Sequence, residues 1–326
     1  MKSHNGILIT KETKEGHMTD EFGRDKYVFS VPSGIGDISW MYSKLMNIPE
    51  VANGSMKMEV LIADGWPYRA LPFVQLLPLV AASDYGNHEY DEIVTFEKFH
   101  KLDYRKTTWD QVRKMGFGMY FMQNNHFLEE GRRLEEWLPD LPANFHYPMK
   151  VTEDDVKVAD RLLEKKDRAP IVGIFGSSKR GVKLWKGWLA DEWFEYISLL
   201  HQNYDCQFLL MGAQWDHEIM DEIQFLLTKV KIPFINVVGK TSISVAIELM
   251  KRLNYFTCFS SGLNVLATIV KTPCCTMWPE FQDGLRYSWA PTDLIESGDY
   301  RAYIWTEPRT VFRSIKPILD HKLTWR

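Results

Sequence analysis

Apolar residues along this chain fall into short β-rich runs separated by segments of helical spacing, and the alternation runs through the chain twice. After a polar stretch over residues 1–25, Lys26–Pro32 (KYVFSVP) predicts a strand feeding a glycine turn and a helix near Ile38–Met46. Met56–Ala63 predicts a second strand, Glu92–Phe96 a weaker third and Phe117–Gln123 a fourth, and Phe127–Leu138 reads as a helix with Glu and Arg on its wet face. A proline-punctuated stretch, Leu138–Met149 (LPDLPANFHYPM), then breaks the pattern. Beyond it a helix is expected over Glu153–Glu164, and strands over Ile171–Phe175, Gln207–Met211, Pro233–Val238, Tyr255–Phe259 and Cys274–Trp278. Helices are expected between them over Ala190–Leu200, Asp216–Leu227, Ile243–Leu253 and Leu263–Val270, and the tail Pro308–His321 has helical spacing of Val311, Ile315 and Leu319.

Strand–helix alternation of this kind is the pattern of parallel α/β units. Two successive sets predict two Rossmann-like domains, 1–150 and 151–326, with parallel sheets facing across a cleft and with the last helix free to return to the first domain. Open parallel sheets bind ligands beyond the carboxyl ends of their strands, so the cleft between those ends is the expected site.

Composition narrows this picture only slightly. A chain of 326 residues suits two domains, and its 12 Trp supply core material together with flat faces that suit a base or a sugar. The net charge of −4 gives no global attraction to nucleic acid or to anionic membrane. No apolar run is long enough for a transmembrane helix, and the start carries no signal-peptide core, so a cytoplasmic protein is expected. Cys206, Cys258, Cys274 and Cys275 lie in apolar runs without metal-ligand spacing, as reduced core thiols do.

The candidate chemistry lies in four turns, each at the end of a predicted strand. Ser33-Gly34-Ile35-Gly36-Asp37 follows the first strand; Ser39 stands where a dinucleotide fingerprint needs its third glycine. Asp37 reads equally as a helix N-cap or as a carboxylate able to take a proton from an acceptor hydroxyl. Gly176-Ser177-Ser178-Lys179, with Lys183 and Lys186 downstream, suits phosphate oxygens, or else is a solvated basic loop. The interleaved Trp185, Trp188 and Trp193 favour the former reading, because exposed loops rarely carry three tryptophans. Met211-Gly212-Ala213-Gln214 reads as a turn passing near a base or ribose. Ser260-Ser261-Gly262-Leu263 reads as an N-cap that also offers a helix terminus to phosphate. No D-x-D pair, P-loop or nucleophile elbow occurs, so a metal site, a P-loop nucleotidase and a serine hydrolase are not expected.

Taken in order, these segments resemble the heptosyltransferase-like (family 9) GT-B glycosyltransferases. The likeness rests on the G-x-G-D turn at Gly34–Asp37 and on Lys186-Gly187-Trp188 with Trp193, where Leu189 replaces a usual proline. It rests also on Val238-Gly239-Lys240-Thr241-Ser242-Ile243 and on the block from Ser260-Ser261-Gly262 through Ala267 to Thr272-Pro273. The resemblance implies a metal-independent, inverting transferase with a nucleotide-diphosphate-sugar as donor and no further cofactor. Asp37 would be the general base, and Lys186 would neutralise donor phosphate. Gly176, Ser177, Lys183, Gly212, Lys240, Ser260, Ser261, Gly262 and Leu263 would lie on the donor, with Ser33, Gly34 and Gly36 on the acceptor side. Ser260 stands where an acidic or amide residue is usual and Val265 where a histidine is, which separates this chain from a typical heptose user.

The acceptor that the resemblance implies is a lipopolysaccharide core sugar. A hydroxylated base in DNA is the alternative, because Lys101, Arg105, Lys106, Arg113, Lys114, Arg132 and Arg133 cluster in the first domain, unless they form only a solvated face. Two further readings are a nucleotide-sugar epimerase on the same scaffold and an inactive binding protein. A monomer is expected.

Overall fold

The structure, a computed structural model, describes residues 7–9, 18–19, 25–31, 34–55, 57–62, 67–80, 92–94, 108, 138–163, 169–177, 187–278, 291–304 and 306–323. The chain divides into two compact units, Met1–Lys150 and Val151–Arg326. No helix among the described residues is long and apolar enough to cross a membrane.

In the first unit the elements run β1 (Ile7–Ile9), β2 (Met18–Thr19), β3 (Asp25–Val31), α1 (Ile35–Leu45), α2 (Pro49–Ala52), β4 (Lys57–Ile62), α3 (Pro67–Val74) and β5 (Glu92–Val94). Strands β3 and β4 are parallel, from Lys26 opposite Lys57 to Val31 opposite Ile62. Strand β2 joins β3 antiparallel, and β1 pairs antiparallel with β5. The polar stretch over residues 1–25 therefore supplies two strands, of three and two residues, too short to produce a period in the sequence. The strand expected over Phe117–Gln123, the helix before Leu138 and the basic cluster lie outside the described residues.

Helix α1 buries Ile38, Met41, Tyr42 and Leu45, the i, i+3, i+4, i+7 stripe of an amphipathic helix. Its second flank is covered by residues 138–150, read from the sequence as a proline-rich break. The buried Lys44 ammonium donates to the Leu141 carbonyl at 2.6 Å and the Leu138 carbonyl at 3.4 Å. The Asn144 N–H reaches the Ser43 carbonyl at 2.7 Å, and the Tyr147 and Ser39 hydroxyls bond at 2.8 Å. The Lys150 N–H closes the stretch on the Leu76 carbonyl at 2.8 Å. Burial pushes the Tyr147 hydroxyl far up from its ordinary value, so it stays protonated as part of the packing.

The second unit runs α4 (Glu153–Leu163), β6 (Ile171–Phe175), α5 (Ala190–Asn203), β7 (Gln207–Leu210), α6 (His217–Lys229), β8 (Phe234–Asn236), α7 (Ile243–Met250), β9 (Tyr255–Phe259), α8 (Gly262–Ile269), β10 (Cys274–Trp278), α9 (Thr292–Ser297), β11 (Tyr300–Ile304) and α10 (Pro308–Lys322). Among the described residues its six strands lie in the order β11-β10-β9-β6-β7-β8, and every neighbouring pair is parallel. Counted from β6 this is the doubly wound 3-2-1-4-5-6 order of the Rossmann fold. One sheet face carries Val172, Ile174, Phe208, Leu210, Met277 and the stripes of α5, α6 and α10, in a single buried cluster. The last helix buries Val311, Ile315 and Leu319 in that cluster, packed on α5 of its own unit. Helices α7 and α8 pack together, α8 also lies against β9 and β10, and α4 packs on α7. All four cysteines are buried and none forms a disulfide; burial pushes Cys274 up to about 12 and raises Cys258 and Cys275 further from reactivity.

Candidate functional site

The strand order fixes where a ligand site can form in the second unit. Chain direction across the sheet reverses between β6 and β9, so the turns after these two strands diverge and leave a crevice at their carboxyl ends. Those turns are Gly176-Ser177 and Ser260-Ser261-Gly262. The sequence had marked both, and the fold makes them neighbours.

Their chemistry differs. At the β9 turn, Ser261 is the N-cap of α8, extended at φ −164° and ψ 175°, and its hydroxyl accepts the Asn264 N–H at 3.4 Å. A helix leaves its first four N–H groups without intrahelical acceptors. The Ser261 hydroxyl takes that of Asn264, so those of Gly262 and Leu263 remain at the half-buried helix start, where the dipole favours an anion. Ser260 is half-buried beside them, its own N–H donating to the Met277 carbonyl at 3.2 Å. Val265 is turned into the core at 1% exposure, so the position where the resembling family carries histidine is here part of the packing.

At the β6 turn the backbone of Gly176 is already committed. Its carbonyl accepts the Trp193 indole N–H at 3.1 Å, and its N–H points at the Met220 sulfur at 3.3 Å. A Cβ there would stand 2.7 Å from Ile223 Cδ1, which is why glycine is required. Ser177 is buried at 6% exposure. Residues 178–186, with Lys183 and Lys186, lie outside the described residues. Trp188 and Trp193 belong to the core: both are buried, with ring centroids 5.0 Å apart, and both pack on Phe259. The inference that tryptophans near the lysines marked a ligand surface therefore fails for these two. Their spacing is that of a core stripe at the start of α5, whose N-cap is Leu189. Trp185 is outside the described residues.

The turns after β7 and β8 lock together. The Gly239 N–H donates to the Gly212 carbonyl at 3.0 Å, and the Val237 N–H to that of Leu210 at 3.0 Å. Gly239 sits at φ +66°, and a Cβ would meet Gln214 Oε1 at 2.5 Å, so only glycine suits both backbone and space. The Asp216 carboxylate, buried at 6% exposure, accepts the Ala213 N–H at 2.7 Å and holds the Gly212 turn closed. Lys240 is exposed and bends back to the Asn236 carbonyl at 3.0 Å. Asp216 was missed as a site-shaping residue; its place three residues beyond Ala213 is the offset at which a side chain reaches back to cap a turn.

In the first unit the structure corrects the reading of Asp37 as an N-cap. Gly34 holds that position, at φ −82° and ψ 126° without a side-chain bond, and its carbonyl accepts the Ile38 N–H at 3.0 Å. Asp37 is the third residue of α1, because the helix starts at Ile35 and not at Ile38. Gly36 lies in the same first turn, half-buried, and Ser33 is outside the described residues.

The comparisons agree with this architecture. No curated protein matches the sequence. The model of glycosyltransferase family 9 (heptosyltransferase) matches residues 106–300. Among solved structures, an E. coli ADP-heptose LPS heptosyltransferase II is 16% identical with a TM-score of 0.59, covering 90% of this chain and 98% of its own. A family 9 glycosyl transferase from Veillonella parvula DSM 2008 is 11% identical with a TM-score of 0.56, covering 94% and 91%. An E. coli heptosyltransferase solved with ADP-2-deoxy-2-fluoro heptose is 13% identical with a TM-score of 0.51, covering 90% and 99%. At these identities the likeness shows the fold, which is GT-B. With the family match over more than half of its length and a Rossmann sheet that opens a crevice between Gly176 and Ser261, this chain belongs to glycosyltransferase family 9 and is a glycosyltransferase.

Proposed function

We propose that the protein transfers a sugar from a nucleotide-diphosphate-sugar to an acceptor hydroxyl, with inversion and without a metal ion. The observation that carries the reading is the start of α8, where Ser261 caps one N–H and leaves those of Gly262 and Leu263 to meet the donor diphosphate. Lys186, from the basic sequence after β6, adds a cation to the leaving group as its charge grows. Lys183, Gly212 and Lys240 complete the donor side. Asp37, in the first turn of α1, takes the acceptor proton as the hydroxyl attacks the anomeric carbon and the diphosphate departs. The acceptor is a glycan hydroxyl of the lipopolysaccharide-core type, in keeping with the LPS named for the E. coli heptosyltransferase II, and the donor sugar departs from heptose because Ser260 and Val265 replace an acid or amide and a histidine. The enzyme works as a cytoplasmic monomer.

The test is nucleotide release from a panel of nucleotide sugars with glycan acceptors, with EDTA present and with the product anomer assigned by NMR. Asp37→Asn is expected to lower kcat by about 10²–10⁴-fold, the usual worth of general-base assistance, while donor KM stays within about twofold. Near-wild-type turnover of that variant would remove Asp37 from the chemistry, and loss of turnover in EDTA would end the metal-free mechanism.

A further inference from the structure

The carboxylate of Asp155 joins two helix starts that are far apart in the chain. Its Oδ2 accepts the Thr152 N–H at 3.1 Å and the Thr152 hydroxyl at 2.7 Å, while the Asp155 N–H returns to Thr152 Oγ1 at 3.2 Å. That is a reciprocal cap on α4. Its Oδ1 accepts the Ser244 hydroxyl at 2.9 Å across 89 residues of sequence. Ser244 Oγ lies 2.8 Å from Ser242 Oγ, and Ser242 is the N-cap of α7, accepting the Val245 N–H at 3.2 Å.

The proton directions follow from this. Ser244 has one hydroxyl proton and gives it to the carboxylate, so the proton between the two serines must come from Ser242. The relay therefore runs one way, from the Val245 N–H through the hydroxyls of Ser242 and Ser244 to a negative charge. Bonds ordered head to tail and ending on an ion reinforce one another. An ordinary N-cap needs only the Ser242 hydroxyl. The extension to Asp155 adds a fixed register between α4 and the turn that Ser242 ends, Val237–Ser242, which contains Lys240 and the tightly packed Gly239.

We propose that Asp155 is a positioning residue for the donor: through Ser244 and Ser242 it sets the backbone of the Val237–Ser242 turn that meets the nucleotide. This rests on the donor-site reading given above. The experiment measures affinity for ADP and UDP by calorimetry, and donor KM and kcat, on the full-length chain. Ser244→Ala cuts the relay and leaves the α4 cap; Thr152→Ala cuts the cap and leaves the relay; Asp155→Ala removes both. Ser244→Ala and Asp155→Ala are expected to weaken nucleotide binding about threefold to tenfold, the range of one net hydrogen bond, with kcat within about twofold. Thr152→Ala is expected to lower the melting temperature with affinity unchanged. Wild-type affinity in Ser244→Ala, or an equal loss in Thr152→Ala, would overturn the proposal while leaving the donor site intact. If neither nucleotide binds wild type, the donor-site reading falls and the inference falls with it.

Discussion

Two turns flank the same crevice, and they use small residues for opposite ends. After β6, Gly176 gives its carbonyl to Trp193 and its N–H to Met220, and it is glycine because Ile223 and Trp193 leave no room for a side chain. After β9, Ser261 uses its hydroxyl to close a single N–H, and the next two stay at a half-buried helix start. The first turn spends its polar groups on the core, and the second holds them for something outside it. A glycine or serine after a strand thus says little until the partners of its backbone are known.

The largest expected effect that would break this contrast is at Trp193. Trp193→Ala removes a fully buried ring and strips the Gly176 carbonyl of its donor, costing about 3–5 kcal/mol in a denaturant titration. Nucleotide affinity measured below the transition should fall less than in Ser261→Ala; the reverse order would make the β6 turn the binding element. Ser261→Ala should cost only about 1 kcal/mol of stability, a lost N-cap, yet weaken ADP or UDP binding about tenfold. A variant with the stability loss alone would return this turn to a structural role. The smallest effect is in acid. Hydrogen bonds from Thr152 and then Ser244 hold the Asp155 carboxyl below its usual range. Its contribution is present above the unfolded carboxylate value and is lost as pH falls through the lower folded one. Asp155→Asn should therefore melt earlier than wild type at neutral pH, with the difference shrinking towards pH 3; a gap constant with pH would show that the charge contributes nothing.

Much of the second unit was legible. Ile171–Phe175, Tyr255–Phe259 and Cys274–Trp278 are continuous apolar runs bounded by Pro, Ser, Gly or Asn, and each is a strand with those limits. Strand β11 was not read, because Tyr300–Ile304 carries Arg301 and residues 301–303 are only partly buried at the sheet edge, which leaves no clear apolar run. The tryptophans misled because Trp188 and Trp193 follow lysines in the chain, yet their rings are buried in the core. The order of the strands, which sets the crevice between β6 and β9, depends on pairings that no local period encodes. Nor does spacing reveal that Gly176 is consumed by the core, since Met220 and Trp193 reach it from two different helices.

The grip of residues 138–150 on α1 bears on the order in which the protein is made. Lys44 finds its carbonyl acceptors 94 and 97 positions later, and Ser39 meets Tyr147 108 positions later. During synthesis α1 leaves the ribosome long before these partners, with an ammonium and a hydroxyl facing what will become interior. The first unit can finish folding only when its own last residues emerge, at the moment the second begins to be made. A gene fragment cut before residue 138 would therefore yield a chain with its buried lysine uncovered, whereas a cut after Lys150 keeps every one of these bonds.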